Sequence, residues 1–352
     1  MTRWIGELEG QAQQRLSPGV YEYFRGGAGQ EISLAEATPA WDAVRFRPRI
    51  LRDVDSVDTS VTVLGSTLRT PVMVAPMALQ SECDEEAEAA TARGVTKSGS
   101  LLCVSCRSSV SYPRIAETGV PWWAQVYVLD DRGLTLELLD RAREAGAGAI
   151  VLTVDTPLLG DRRIRTDEQL RATRDLGPHY GGIPSPSLDI GNAKDLTFTD
   201  IARVAEDARL PVLVKGVLRG DDARQAVDAG AAGVIVSTHG ARQLDPVIAS
   251  AAALPDVAEA LGGTDAAIIV DGGIRRGTHV MAALAMGATA VFVGRPVLWA
   301  LTVGGADMVN RLIDDLTAEL VLAMTLAGAP TIADLSPDLL AGRKQYYARR
   351  TS

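Results

Sequence analysis

Positive charge in excess, a long apolar run and a cysteine framework are all missing from this chain. Lys and Arg number 35 against 44 Asp and Glu, a formal net charge of −9 over 352 residues. A balance of that sign argues against nucleic-acid binding and against a polybasic membrane anchor. No apolar stretch approaches the ~20 residues of a membrane span, and the opening Met1-Thr-Arg-Trp-Ile-Gly-Glu-Leu-Glu9 has no apolar signal core. A soluble, cytoplasmic protein that engages neither membrane nor nucleic acid is expected. The cysteines are Cys83, Cys103 and Cys106. The last two make a C-x-x-C on an apolar run that reads as a strand, so neither a disulfide nor a metal site is expected. Histidine is equally scarce, with three in the chain, so each one carries information.

Hydrophobic residues at 47% and charged residues at 22% are globular proportions. The length admits two ordinary domains or one large α/β barrel. Eight short apolar runs decide between them: Val72–Ala75, Leu101–Ser105, Ala124–Val128, Ala149–Val154, Pro211–Lys215, Gly233–Ser237, Ala267–Asp271 and Ala290–Gly294. Each is nearly all apolar rather than alternating, as parallel strands covered on both faces require. Between them the period changes to that of helices, as in Leu134, Leu138, Ala142 and Ala145, or Ala223, Ala226, Val227 and Gly230. Strand–helix alternation over eight units predicts a (β/α)8 TIM barrel. A doubly wound sheet would place G-x-G-x-x-G after its first strand, where Ala75-Pro-Met-Ala-Leu-Gln80 stands instead. The chain is read as a single domain over residues 1–352. Residues 1–70 form a helical extension, with helices near 4–16 and 17–25, and residues 160–198 form a long, mobile, lid-like loop after the fourth strand.

Active sites of such barrels lie where the strands end, and polar residues collect there. Strand six runs into Ser237-Thr-His-Gly-Ala-Arg-Gln-Leu-Asp245. His239 titrates near neutrality and Arg242 can clamp a carboxylate, a pairing suited to oxidising carbon beside a bound acid. The same stretch also reads as a solvated polar loop. The ends of strands seven and eight give Asp271-Gly272-Gly273, Arg275 and Gly294-Arg295. Close backbone approach and helix N-termini make these a phosphate site, although Asp271 alone also reads as a helix cap. Ser105, Gln125, Thr153 and Lys215 suit the polar edge of a flat heteroaromatic ring. Phosphate plus ring suggests FMN; a phosphosugar or another nucleotide satisfies the same spacing.

The chain resembles the FMN-dependent α-hydroxy acid oxidases and dehydrogenases, a family that includes glycolate oxidase, lactate oxidase and mandelate dehydrogenase. The resemblance covers about residues 15–340. It is carried by Val20-Tyr-Glu-Tyr-Phe-Arg-Gly-Gly-Ala28, Phe46-Arg-Pro-Arg-Ile-Leu-Arg-Asp53, Gln125-Val-Tyr127 and Leu152-Thr-Val-Asp-Thr-Pro157. Leu213-Val-Lys-Gly-Val217, the His239 stretch, Asp271-Gly-Gly-Ile-Arg-Arg-Gly277 and Val293-Gly-Arg-Pro-Val297 complete it.

This resemblance implies oxidation of a 2-hydroxy acid to the 2-keto acid, with the flavin reoxidised by O2, giving H2O2, or by another acceptor. It implies His239 as base, oriented by Asp155, and Tyr127 on the substrate hydroxyl. Arg242, Tyr23 and Arg162 would hold the carboxylate. Lys215 would stabilise charge at the flavin N1–C2 carbonyl, and Ala78, Ser105, Gln125 and Thr153 would line the isoalloxazine. Asp271, Gly273, Arg275, Gly294 and Arg295 would hold the ribityl chain and phosphate. A homo-oligomer, often a tetramer, is implied as well.

Several positions depart from the pattern. Thr238 replaces the usual Asn, Gly160-Asp161-Arg162-Arg163 replaces Gly-Arg-Arg, and the Arg-Asn-x-Phe that should follow is missing. Met77 stands where Thr is common, and Arg107 where glycolate oxidase has a Trp. Met77 and Arg107 therefore join the candidate substrate-binding residues and suggest a specialised, biosynthetic substrate, larger, bearing an extra anion or amine-bearing. Two other readings compete. One is a flavin-dependent isomerase of the type 2 isopentenyl diphosphate isomerase kind; the other is a catalytically degenerate FMN-binding barrel.

Overall fold

The computed structural model describes residues 3–162, 177–179 and 191–341. Eight parallel strands close into a barrel, each pairing with its neighbours in sequence and the last pairing with the first. They are preceded by a two-stranded hairpin, β1 (Val61–Val63) and β2 (Ser66–Leu68), so the barrel strands are β3 to β10. In order these are Val72–Val74, Leu102–Ser105, Trp122–Val126, Ile150–Thr153, Val212–Val217, Gly233–Val236, Ala267–Val270 and Ala290–Val293. All eight expected runs are strands, with ends displaced by one or two residues. The fifth runs on to Val217 past a register shift between Lys215 and Val217.

A helix follows every barrel strand. These are α4 (Ala87–Ser98), α5 (Tyr112–Ala116), α6 (Arg132–Glu144), α7 (Thr199–Ala208), α8 (Gly220–Asp228), α9 (Ser250–Ala260), α10 (Gly277–Ala285) and α11 (Arg295–Ala327). The last is broken at Gly304–Gly305, where the backbone leaves helical values. The strands are buried on both faces, which is why they read as unbroken apolar runs. Met73, Trp123, Leu213, Ile269 and Phe292 fill the interior, while Val72, Val74, Val104 and Val126 face the helices. Each such fully buried side chain contributes roughly 1.5–3 kcal/mol. Cys103 belongs to the interior cluster and Cys106 to the outer one, and both are free. The C-x-x-C is thus two core thiols on different faces.

Three helices precede the hairpin: α1 (Arg3–Gln13), α2 (Pro18–Arg25) and α3 (Ile32–Asp42). The first two match the sequence expectation closely; α3 and the hairpin were not anticipated. Val63 and Leu68 of the hairpin join the interior cluster beside Leu101, Ala149 and Ala267, residues at the beginnings of strands. The hairpin therefore plugs the end of the barrel opposite the strand exits. The extension reaches the exits themselves. Ser17 accepts the Val20 N–H to start α2, whose Tyr21 and Phe24 rings pack on Trp299 of α11 at centroid distances of 5.7 and 6.3 Å. Asp245 accepts the N–H groups of Gln30 (3.0 Å), Ile32 (3.2 Å) and Ser33 (2.8 Å), which fixes the start of α3. Of the long loop after β6, Arg162 is described and pairs with Ala28 in an antiparallel bridge. Most of residues 160–198, including Arg163, lies outside the described residues, and the expectation of a mobile lid lies there with it. No helix among the described residues is long and apolar enough to cross a membrane.

Candidate active site

The strand exits open into a cavity of about 610 Å³. Apart from Asp155, every candidate residue named from the sequence lines it. Asp155 sits behind His239 instead. His239 Nδ1 lies 2.8 Å from Asp155 Oδ1, and Thr156 Oγ1 donates to the same oxygen at 3.0 Å. Because Nδ1 donates to the carboxylate, Nε2 is the ring nitrogen left for a ligand. Burial lowers the His239 pKa, more strongly than Asp155 raises it, so the imidazole rests neutral. Burial alone would raise Asp155, but His239, Lys215 and Thr156 outweigh it and hold the carboxyl near a pKa of about 2. A neutral base backed by a fixed anion is the result.

Backbone strain sets this geometry. His239, Gly240 and Ala241 have φ of 54°, 64° and 59°, three consecutive left-handed residues. For the two with side chains this costs roughly 1–2 kcal/mol each. The turn is held because His239 N–H donates to Ser237 Oγ at 3.0 Å and Ala241 N–H donates to the Thr238 carbonyl at 2.9 Å. Thr238, where Asn is usual, thus has a structural job, its Oγ1 also accepting from Ala241 at 3.2 Å.

Ser237, not singled out from the sequence, is the hinge between two groups of the site. Its Oγ also accepts from Lys215 Nζ at 2.9 Å. Lys215 lies 3.6 Å from Asp271 Oδ2. Burial opposes its charge, yet Asp271 and Asp155 raise its pKa above the ordinary value. Beside Lys215 runs a polar chain: Ser105 Oγ donates to Gln125 Oε1 at 3.3 Å, and Gln125 Nε2 donates to Thr153 Oγ1 at 3.1 Å.

The guanidiniums gather near Tyr23 of α2. The Arg242 and Arg162 carbons lie 4.8 and 5.7 Å from its ring centroid. Arg242 Nη1 donates to the carbonyls of Tyr23 (2.7 Å) and Gly26 (3.0 Å). Arg295 donates to Phe24 O at 2.9 Å, Gly26 O at 3.2 Å and Gly240 O at 2.8 Å. The barrel thereby caps the C-terminal carbonyls of α2 with two cations, where the helix dipole favours them. Asp161 is exposed and does not line the cavity, whereas Arg162 does. Burial pushes the Tyr127 hydroxyl pKa upward, keeping it a neutral donor. Met77 lines the cavity near Gly294, on which a Cβ would sit 3.7 Å from the Met77 sulfur. Ala78 and Arg107 share that wall.

At the exits of β9 and β10 the site has unspent donors. Trp41 Nε1 donates to Gly272 O at 2.7 Å and Thr38 Oγ1 to Gly273 O at 3.0 Å, so α3 takes up the carbonyls of this loop. Gly273 has a φ of 78°, and a Cβ there would fall 2.2 Å from Ala37 O. Among the described residues no acceptor takes the Gly273 or Gly294 N–H. Arg275 is half-buried beside them, and Asp271 Oδ1 is buried with no partner among the described residues. Free N–H groups with a neighbouring cation suit a phosphate, an orphan carboxylate oxygen suits a hydroxyl, and the Gln125 chain with Lys215 suits a polar ring edge. The residues present fit FMN.

A neutral histidine facing a guanidinium cluster, above a wall built for a phosphorylated flavin, defines a barrel oxidoreductase. The comparisons agree. The profile of the FMN-dependent dehydrogenase family matches residues 12–342. The chain is 39% identical over 355 residues to L-lactate oxidase of Nostoc sp., covering 95% of this chain and 96% of the relative. It is 39% identical over 350 residues to glycolate oxidase of Spinacia oleracea, covering 94% of each. A mandelate oxidase crystal structure superposes with a TM-score of 0.84 at 36% identity, covering 96% of this chain and 97% of that one. The chain belongs to the FMN-dependent dehydrogenase family; it is an oxidoreductase and its cofactor is FMN.

Proposed function

We propose that this protein oxidises a 2-hydroxy acid to the corresponding 2-keto acid. The observation that carries the reading is His239, neutral and held by Asp155 at 2.8 Å, in the same cavity as Arg242 and Arg162. The substrate carboxylate pairs with the guanidinium edges that Arg242 does not spend on α2, assisted by Arg162 and Tyr23. Tyr127 donates to the substrate hydroxyl, and Nε2 of His239 accepts the proton that the substrate releases. Asp155 stabilises the imidazolium that then forms. Lys215 would stabilise the charge that develops on the cofactor, a preorganised electrostatic contribution. Asp271, Gly273, Arg275, Gly294 and Arg295 would hold the ribityl chain and phosphate of FMN, and Ala78, Ser105, Gln125 and Thr153 the ring. Bound there, FMN would supply the two-electron oxidation of the substrate, with O2, giving H2O2, or another compound as final acceptor.

A homo-oligomer acting in the cytoplasm, with residues 1–352 as one functional unit, belongs to the same proposal. The isomerase reading is not favoured, since moving a double bond gives no role to a carboxylate clamp. The relatives are oxidases, and the intact His239–Asp155 pair argues against a degenerate barrel. The test is anaerobic titration of the FMN-loaded protein with 2-hydroxy acids. Bleaching of the flavin band is expected, with recovery on admitting air. Failure of glycolate, lactate, mandelate and charged analogues alike to bleach it would overturn the proposal.

A further inference from the structure

The wall of the cavity carries seven Lys and Arg side chains and one carboxylate, that of Asp271, among the described residues. Most of these cations have a use already. Lys215 faces Asp271, Arg275 and Arg295 lie at the phosphate end, and Arg162 and Arg242 surround Tyr23. Lys194 is exposed, which leaves Arg107. Its guanidinium makes no hydrogen bond or ion pair among the described residues; it lies over the Tyr127 ring, 5.9 Å from the guanidinium carbon to the centroid. It is half-buried.

The backbone around it is firmly fixed. Arg107 N–H donates to Ser105 Oγ at 3.1 Å, Ser108 Oγ donates to Val110 O at 2.8 Å, and Ser109 N–H donates to Glu88 Oε2 at 3.0 Å. Buried His179 packs on the same loop, its Nε2 3.1 Å from Ser108 Oγ. A half-buried guanidinium on a braced loop, with no anion of its own among the described residues, favours the arrival of one. The cavity thus has two cationic poles, Arg162 with Arg242 at Tyr23 and Arg107 at Tyr127.

We propose that the substrate is a 2-hydroxydicarboxylic acid, whose second carboxylate pairs with Arg107 while the first is held by Arg242. This rests on the 2-hydroxy acid reading above and narrows it to a substrate class. Arg107 is then a specificity residue. Its planar fork matches a carboxylate with two parallel hydrogen bonds, whereas lysine offers only a point charge.

The test uses the FMN-loaded enzyme and two measurements. The first is binding of acids without a hydroxyl, which cannot be oxidised: succinate and glutarate against butyrate, followed by perturbation of the flavin spectrum. The second is kcat/KM for malate and 2-hydroxyglutarate against lactate and 2-hydroxybutyrate. The dicarboxylates are expected to lead by about tenfold or more in both, the scale of one charge-assisted pair. Arg107→Met, which keeps an unbranched side chain at the position without its charge, should collapse both ratios towards one, and Arg107→Lys should restore part of the preference. Butyrate binding as tightly as succinate, or ratios unmoved in both variants, would overturn the proposal while oxidation of lactate left the wider reading standing. Arg107-dependent succinate binding, with no 2-hydroxy acid reducing the flavin, would support the second anion site and sink the wider reading instead.

Discussion

Arg242 grips Tyr23 twice: its guanidinium carbon lies 4.8 Å from the ring centroid, and its Nη1 donates to the Tyr23 carbonyl at 2.7 Å. One guanidinium therefore anchors the helical extension and offers its remaining edge to the substrate. The position of the carboxylate clamp is coupled to the docking of α2, and both depend on the strained turn that follows β8.

Replacing Asp155 by Asn should keep FMN bound and lower kcat by roughly 10²–10⁴-fold, the usual worth of a positioned base. The amide cannot stabilise the imidazolium that forms when His239 takes a proton. Single-turnover flavin reduction, measured by rapid mixing, isolates this step. A rate within threefold of the wild type would contradict the role given to the pair.

The pH profile follows from two groups. His239 must be neutral to accept a proton, and burial has lowered its pKa below the ordinary 6.5. The acid limb of kcat/KM should therefore lie below pH 6.5, with activity retained above it. Arg242 keeps its charge throughout: burial and neighbouring Arg162 lower its pKa, but a guanidinium stays protonated across the accessible range. KM should therefore stay level on the alkaline side. An acid limb centred well above 6.5 would show that His239 is not the neutral base described.

Arg295→Met should destabilise the protein by on the order of 1–3 kcal/mol, since it removes the donor of Gly240 O and leaves Phe24 O and Gly26 O to Arg242 alone. Thermal unfolding of the FMN-loaded variant measures the loss. A variant as stable as the parent would mean that Arg242 and the aromatic contacts with Trp299 suffice to hold α2.

Gly216→Ala is the sharpest local test. Gly216 has a φ of 109°, and a Cβ there would lie 2.5 Å from Asp155 Cβ and 2.7 Å from its Cγ. The methyl must push the carboxylate away from His239, so kcat should fall at least tenfold, with a cost of about 1 kcal/mol or more in stability from the backbone alone. Unchanged turnover would show that Asp155 can shift without losing its partner.

Much of this was legible in the residues. Strands buried on both faces leave unbroken apolar runs, so β3 to β10 could be counted, and barrel geometry then assembled Ser105, Thr153, Lys215 and Asp271 at one end. The hairpin was harder to see. Val61-Thr-Val and Ser66-Thr-Leu alternate around Gly65, which has a φ of 79°, but three-residue strands lie below the length at which alternation is distinctive. Ser237 was hidden for another reason: a serine at a strand end usually serves its own backbone, and here it serves His239 and Lys215 together. The bonds of Arg295 to α2 carbonyls join residues some 270 apart, a separation at which no local pattern operates.

That separation sets an order of assembly. The carbonyl of Gly26 is synthesised 269 residues before the Arg295 that caps it. At roughly 5–20 residues per second, tens of seconds pass between the two during translation. Arg242, the other barrel donor to α2, is itself made 216 residues after Gly26, so through most of that interval α2 has neither cation and the acid-binding corner of the cavity is incomplete. An early helix is thus a late recruit, and the enzyme gains its full hold on substrate only once its final strand is in place.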